Sequence, residues 1–162
     1  MRKFSLILVL AAFSAVLLVG NSLRAAGPAA DVISMKNAAY ATHAKPVVEF
    51  SHKKHAVDYG AKCGDCHHDD KGQPLADLKD GDPVQSCIAC HKLPGEVPKE
   101  EKKALKSLPP DQKKAKELAY HAEALHMNCK DCHQEHNKAK SLKKGAPGFA
   151  PTACNDCHAK AK

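Results

Sequence analysis

Apolar residues are unevenly spread along this chain. An apolar run from Phe4 to Val19, behind Arg2 and Lys3, opens it, and Gly20-Asn21-Ser22 with Ala25 and Ala26 closes the run. A basic start, an apolar centre and small residues after it read as an export signal peptide over residues 1–25, cut between about residues 23 and 30. The alternative is a retained membrane anchor, since the run is long for a signal core and short for a spanning helix. Residues 26–46 hold Pro, Ala and few large side chains, so an extended leader is expected there, with a short strand at Val47–Phe50. One helix is predicted, from about Asp111 to His126 behind Pro109-Pro110. Ala115, Leu118, Ala119 and Ala122 keep the i, i+3, i+4, i+7 rhythm of a buried stripe, while Lys113, Lys114, Lys116, Glu117 and Glu123 take the other faces. Gly72, Pro74, Gly81 and Pro83 mark one loop, and Gly145, Pro147, Gly148 and Pro151 another. The expected fold is mainly α, with extensive loops and little sheet.

Such a pattern leaves little to build a core from. Aromatic residues make up 4% of the chain and there is no Trp, so the large side chains that fill an ordinary interior are missing. The cysteines suggest what replaces them. All eight fall in four copies of Cys-x-x-Cys-His: Cys63-Gly-Asp-Cys66-His67, Cys87-Ile-Ala-Cys90-His91, Cys129-Lys-Asp-Cys132-His133 and Cys154-Asn-Asp-Cys157-His158. This is the attachment pattern of c-type haem. Cysteines three apart sit about one helical turn apart, so both sulfurs reach one porphyrin edge, and the histidine that follows becomes an axial ligand of the iron. A disulfide framework gives no reason for the repeated histidine, and structural zinc needs no strict order of Cys and His. Four covalent haem c groups are expected, packed together as the core, with a largely unfolded apoprotein.

The second axial ligand decides the chemistry. Beyond the four motif histidines there remain His43, His52, His55, His68, His121, His126 and His136, whereas only Met35 and Met127 lie beyond the export segment. Two methionines cannot serve four irons, so bis-histidine ligation is expected, which favours low potentials and leaves no open position for a substrate. Phe50-Ser-His-Lys-Lys-His55 precedes the first motif closely, and His68 adjoins His67. On the predicted helix, His126 lies near the edge of the apolar stripe and His121 farther around. His126 is therefore favoured as a ligand, with His121 as the alternative, and His43 and His136 are expected to bind no iron.

With F-x-H-x-x-H, then CxxCHH, then three further CxxCH motifs, the chain resembles the tetrahaem cytochromes c3, the class III cytochromes of sulfate-reducing bacteria, over roughly residues 47–158. The close spacing of His126 to Cys129 is similar to that of a second c3 subtype. The resemblance places a tetrahaem domain at 47–162 and implies four ligand pairs: His52 with His67, His68 with His91, His55 with His133, and His126 with His158. It also implies a periplasmic electron carrier in sulfate respiration rather than an enzyme. Such a carrier takes electrons from a periplasmic hydrogenase or formate dehydrogenase and passes them to a membrane-bound multihaem redox complex.

Charge refines this reading. Removing Arg2, Lys3 and Arg24 with the export segment lowers the formal charge from +7 to +4, and eight haem propionates would carry it to about −4. The basic balance therefore gives no ground for nucleic acid as a partner. Lys138, Lys140, Lys143 and Lys144 are the candidates for docking an acidic partner. The competing function is a membrane-anchored tetrahaem quinol dehydrogenase with the N-terminal run retained.

Overall fold

A computed structural model of the chain describes residues 28–158. The expected export segment, apart from its last possible cut positions, and everything after His158 lie outside the described residues. No helix among the described residues is long and apolar enough to cross a membrane. The fold is mainly helical with one small sheet, as the sequence predicts. Strand β1 (Ile33–Ser34) pairs antiparallel with β2 (Glu49–Phe50). Ile33 faces Phe50, and the Ser34 hydroxyl donates to the Glu49 carboxylate at 2.8 Å. A two-residue ribbon has little stability of its own; the segment before it is held by Lys53–Asp31 contacts and by the Ala29 amide on the Asp80 carboxylate. The leader is thus docked along the domain.

Among the described residues six α-helices follow in short pieces: α1 (Cys63–Cys66), α2 (Lys99–Leu105), α3 (Pro110–Glu117), α4 (His121–His126), α5 (Cys132–Ala139) and α6 (Cys154–Cys157). Helix α2, not foreseen from the sequence, follows Pro98 at its N-cap, carries Glu100 and Glu101 in its first turn and Lys102 and Lys103 in its last, matching the helix dipole. It turns Leu105 into the interior.

The long helix predicted over Asp111–His126 is two helices. Pro110 opens α3 as its first residue, but the chain leaves helical geometry at Tyr120 (φ −89, ψ 123) and restarts at His121. The expected stripe loses its phase with the break: Ala115 is exposed, and Leu118, Ala119 and Ala122 are half-buried. The restarted helix runs farther than expected. A π-helical stretch, Met127–Asp131, joins α4 to α5, so helical backbone continues from His121 to Ala139 through the third motif and into the spacer read as loop. Only residues 140–153 of that spacer are irregular.

The interior is as thin as the composition predicts. Val97, Leu105 and Ala124 are the buried apolar residues among those described, and no described side chain is fully buried. Buried polar residues, His121 and Asn137, are nearly as many. Side chains alone do not make a close-packed core here.

Candidate haem-binding site

Each motif is built on a tight turn. The first and fourth occupy the single turns α1 and α6, the second a 3₁₀ turn at Cys87–Ala89, and the third spans the π stretch into α5. In α1 and α6 an acidic residue of the motif closes the turn: Asp65 accepts from the Lys62 amide at 2.8 Å and Asp156 from the Ala153 amide at 3.3 Å. Gly64 lets a neighbouring segment approach, since a Cβ there would stand 3.0 Å from the backbone of Leu75.

The four motifs converge. Burial pushes the Cys129 thiol up to about 11, and the neighbours adding to this are Cys66, Cys157, Cys87 and Cys132, one or more from every motif. Cys66, Cys87 and Cys157 are also raised, in each case first by burial. No disulfide joins any of the eight cysteines, so each sulfur is available to a porphyrin vinyl group.

Histidines of different segments come together in pairs. Ring centres lie 6.1 Å apart for His55 and His133, 6.0 Å for His68 and His91, and 6.2 Å for His126 and His158. Two imidazoles on one metal, each at about 2.0 Å and with its bonded nitrogen roughly 1.1 Å from the ring centre, stand about 6.2 Å apart. The three separations match that span; the rings are near-parallel in the first pair (19°) and steeply inclined in the other two (74° and 88°). His52 lies near His67: burial lowers the His67 pKa most, and His52 and then His68 lower it further. Phe50 sits between, 4.6 Å from the His55 ring and 6.0 Å from His52, holding apart two histidines that point to different motifs. Two adjoining cavities of about 500 and 470 Å³ share His68, Asp69, Asp70 and Cys90, and the second also holds His91, Leu118, Ala124 and Met127. These volumes suit a cofactor-sized occupant.

Backbone carbonyls set the protonation of the rings. Nδ1 of His55 donates to Ser51 (2.9 Å), of His68 to Asp69 (2.7 Å), of His133 to Pro151 (2.7 Å) and of His158 to Pro46 (2.7 Å); His91 donates to Leu118. A carbonyl only accepts, so Nδ1 carries the hydrogen and Nε2 keeps its lone pair for a metal. His126 differs: its Nδ1 faces the Glu96 carboxylate at 4.0 Å.

This explains the broken helix. At the break the Leu118 carbonyl is taken by His91, the Ala119 carbonyl by the Leu93 amide (3.0 Å), and the His121 and Ala122 amides by the carbonyls of Leu93 and Gly95. The second motif zips onto the gap between α3 and α4. A continuous helix would use those groups internally.

Of the remaining histidines, His121 and His136 make hydrogen bonds, whereas Nε2 of His43 is buried without a partner. His121 is buried, its Nδ1 2.8 Å from the Tyr40 hydroxyl, and burial followed by His91 lowers its pKa. It lies toward the second motif, whereas His126 faces His158. His43 stacks on Tyr40 at 5.0 Å, and His136 donates to the Gly148 carbonyl at 3.2 Å. Tyr40 carries no sequence signal as a site residue, nor do the carbonyls of Pro46, Leu118 and Pro151, since every residue has a carbonyl. Lys138, Lys140, Lys143 and Lys144 are exposed at the end of α5 and in the following loop, with Lys144 3.5 Å from Asp156.

The donor set therefore fits covalent haem: cysteine pairs on turns, imidazoles at iron-spanning distance, and a thin interior for the groups to fill. No curated protein and no solved structure matches the chain. A family model, the class III cytochrome c family, matches residues 28–158, which takes in the leader as well as the four motifs. The chain belongs to the class III cytochrome c family, whose members bind several covalent haems and transfer electrons.

Proposed function

We propose that this protein is a periplasmic, low-potential electron carrier holding four covalent haem c groups, each between two histidines. Cys63 with Cys66, Cys87 with Cys90, Cys129 with Cys132, and Cys154 with Cys157 form the thioether links. The axial pairs are His52 with His67, His68 with His91, His55 with His133, and His126 with His158. The haems, when bound, supply reversible one-electron uptake at each iron. The chain fixes their orientation through the pinned imidazoles and closes both axial positions, which speaks against substrate chemistry at the metal. The observation that carries the reading is the three facing imidazole pairs at 6.0–6.2 Å.

Electrons enter from a periplasmic hydrogenase or formate dehydrogenase and leave to a membrane-bound multihaem redox complex; no nucleic acid takes part. Lys138, Lys140, Lys143 and Lys144 offer an exposed basic surface for an acidic partner. If they guide encounter, transfer to such a partner slows as salt rises, because exposed charges are screened within about 8 Å at physiological salt. Stopped-flow measurement over a salt series checks this; a flat response removes the lysines from docking.

The test of the whole reading is direct. The mass of the exported protein should exceed that of the polypeptide by four haems, and the near-infrared and electron-spin spectra of its oxidised form should show bis-imidazole iron throughout. Ready binding of carbon monoxide by the reduced native protein would instead reveal an open iron.

A further inference from the structure

We propose that Asn137 is a positioning residue for the third haem site, clamping the chain so that the Pro151 carbonyl meets the Nδ1–H of His133. The inference rests on the reading of His133 as an iron ligand. Asn137 lies one turn after His133 on α5 and is 7% exposed. Its amide nitrogen donates to the Ala150 carbonyl and its oxygen accepts from the Ala150 amide, both at 2.8 Å. A primary amide has one edge that offers a donor and an acceptor together, so this side chain holds Ala150 as a neighbouring strand would. The next residue supplies the carbonyl that His133 uses, at 2.7 Å.

Little else fixes that carbonyl. Residues 140–153 have no regular structure, and Ser141 (φ 52), Gly145 (φ 90) and Gly148 (φ 80) take left-handed backbone within them. His136 holds Gly148 at 3.2 Å, more weakly and from a less buried position. Metal-bound histidines owe their orientation and donor strength to the partner of the second nitrogen. A loosened Pro151 carbonyl weakens the Nδ1–H bond, makes the imidazole a poorer donor to ferric iron, and so raises the potential of that haem alone.

The experiment uses the oxidised holoprotein, with the third haem's electron-spin signal identified as the one altered by His55→Met. In Asn137→Ala that signal moves and one of four reduction waves shifts to higher potential, the other three staying in place. Asn137→Asp, which keeps the acceptor but loses the donor, shifts the same wave less, and it serves if the alanine variant does not fold. Gly145→Ala is the control. Its added Cβ is strained at φ +90 but meets nothing within 4 Å, so it loosens the loop without touching the clamp, lowering thermal stability and leaving the third signal unmoved. An unchanged third haem in both Asn137 variants, or an equal shift in Gly145→Ala, overturns the assignment. A parent protein without bis-imidazole signals overturns the ligand reading beneath it as well.

Discussion

A histidine binds iron only through a ring nitrogen free of hydrogen, and carbonyl partners hold the hydrogen on Nδ1 of five rings here. His126 is not one of the five; it is singled out by its ring lying 6.2 Å from that of His158, whereas His121 contacts the Tyr40 hydroxyl toward the second motif. His126→Met should therefore convert one iron to Met/His ligation and raise one reduction potential, while His121→Asn should leave four bis-imidazole signals in the oxidised spectrum. Loss of a signal in His121→Asn would reverse the two roles. His121 also makes a prediction about pH. Burial, then His91, holds its imidazole below the usual histidine range. Unfolded, it titrates near 6.5, so below that value the unfolded chain takes up a proton that the folded chain refuses. Its contribution to stability is present above about pH 6.5 and declines as the pH falls toward the lower folded value. The melting temperature should drop between about pH 7.5 and 5.5, and drop less in His121→Asn.

Elements in this fold act by lending backbone groups to one another's motifs. The gap between α3 and α4 supplies Leu118 to His91, the loop after α5 supplies Pro151 to His133, and the N-terminal segment supplies Pro46 to His158 across 112 residues. The N-terminal segment is tied in again where Tyr40 meets α4. Tyr40→Phe leaves the buried His121 nitrogen without its partner and should cost about 1–3 kcal/mol, read by denaturant unfolding of the holoprotein, with the four ligand signals intact. An unaltered midpoint would mean that this contact does not hold the segment down.

At the scale of the molecule, three buried apolar residues among those described leave the polypeptide far short of the burial that offsets chain entropy. Haems tethered at the eight cysteines, as proposed above, would both cross-link the chain and fill it. A variant with all eight cysteines replaced by serine should show little helical circular dichroism and no cooperative unfolding, where the holoprotein melts sharply. A cooperative transition in that variant would show that the chain carries its own core.

Chemistry was legible in the sequence because it is carried by side-chain identity at fixed short spacing. CxxCH needs only one local turn, and an excess of histidine over methionine needs only counting. The thin interior, the mainly helical class, the loops at Gly–Pro clusters and the Phe50 strand followed in the same way, from composition and from local backbone preference. The break at Tyr120, helix α2, the helical run through the third motif and the docked leader did not. Each depends on which distant amide or carbonyl claims a backbone group, and backbone groups are alike in every residue. The sequence thus determined the attachment chemistry, while tertiary structure decided which histidine faces which, because the hydrogen bonds from histidine rings to the carbonyls of Leu118, Pro46 and Pro151 are made only once the chain has come together.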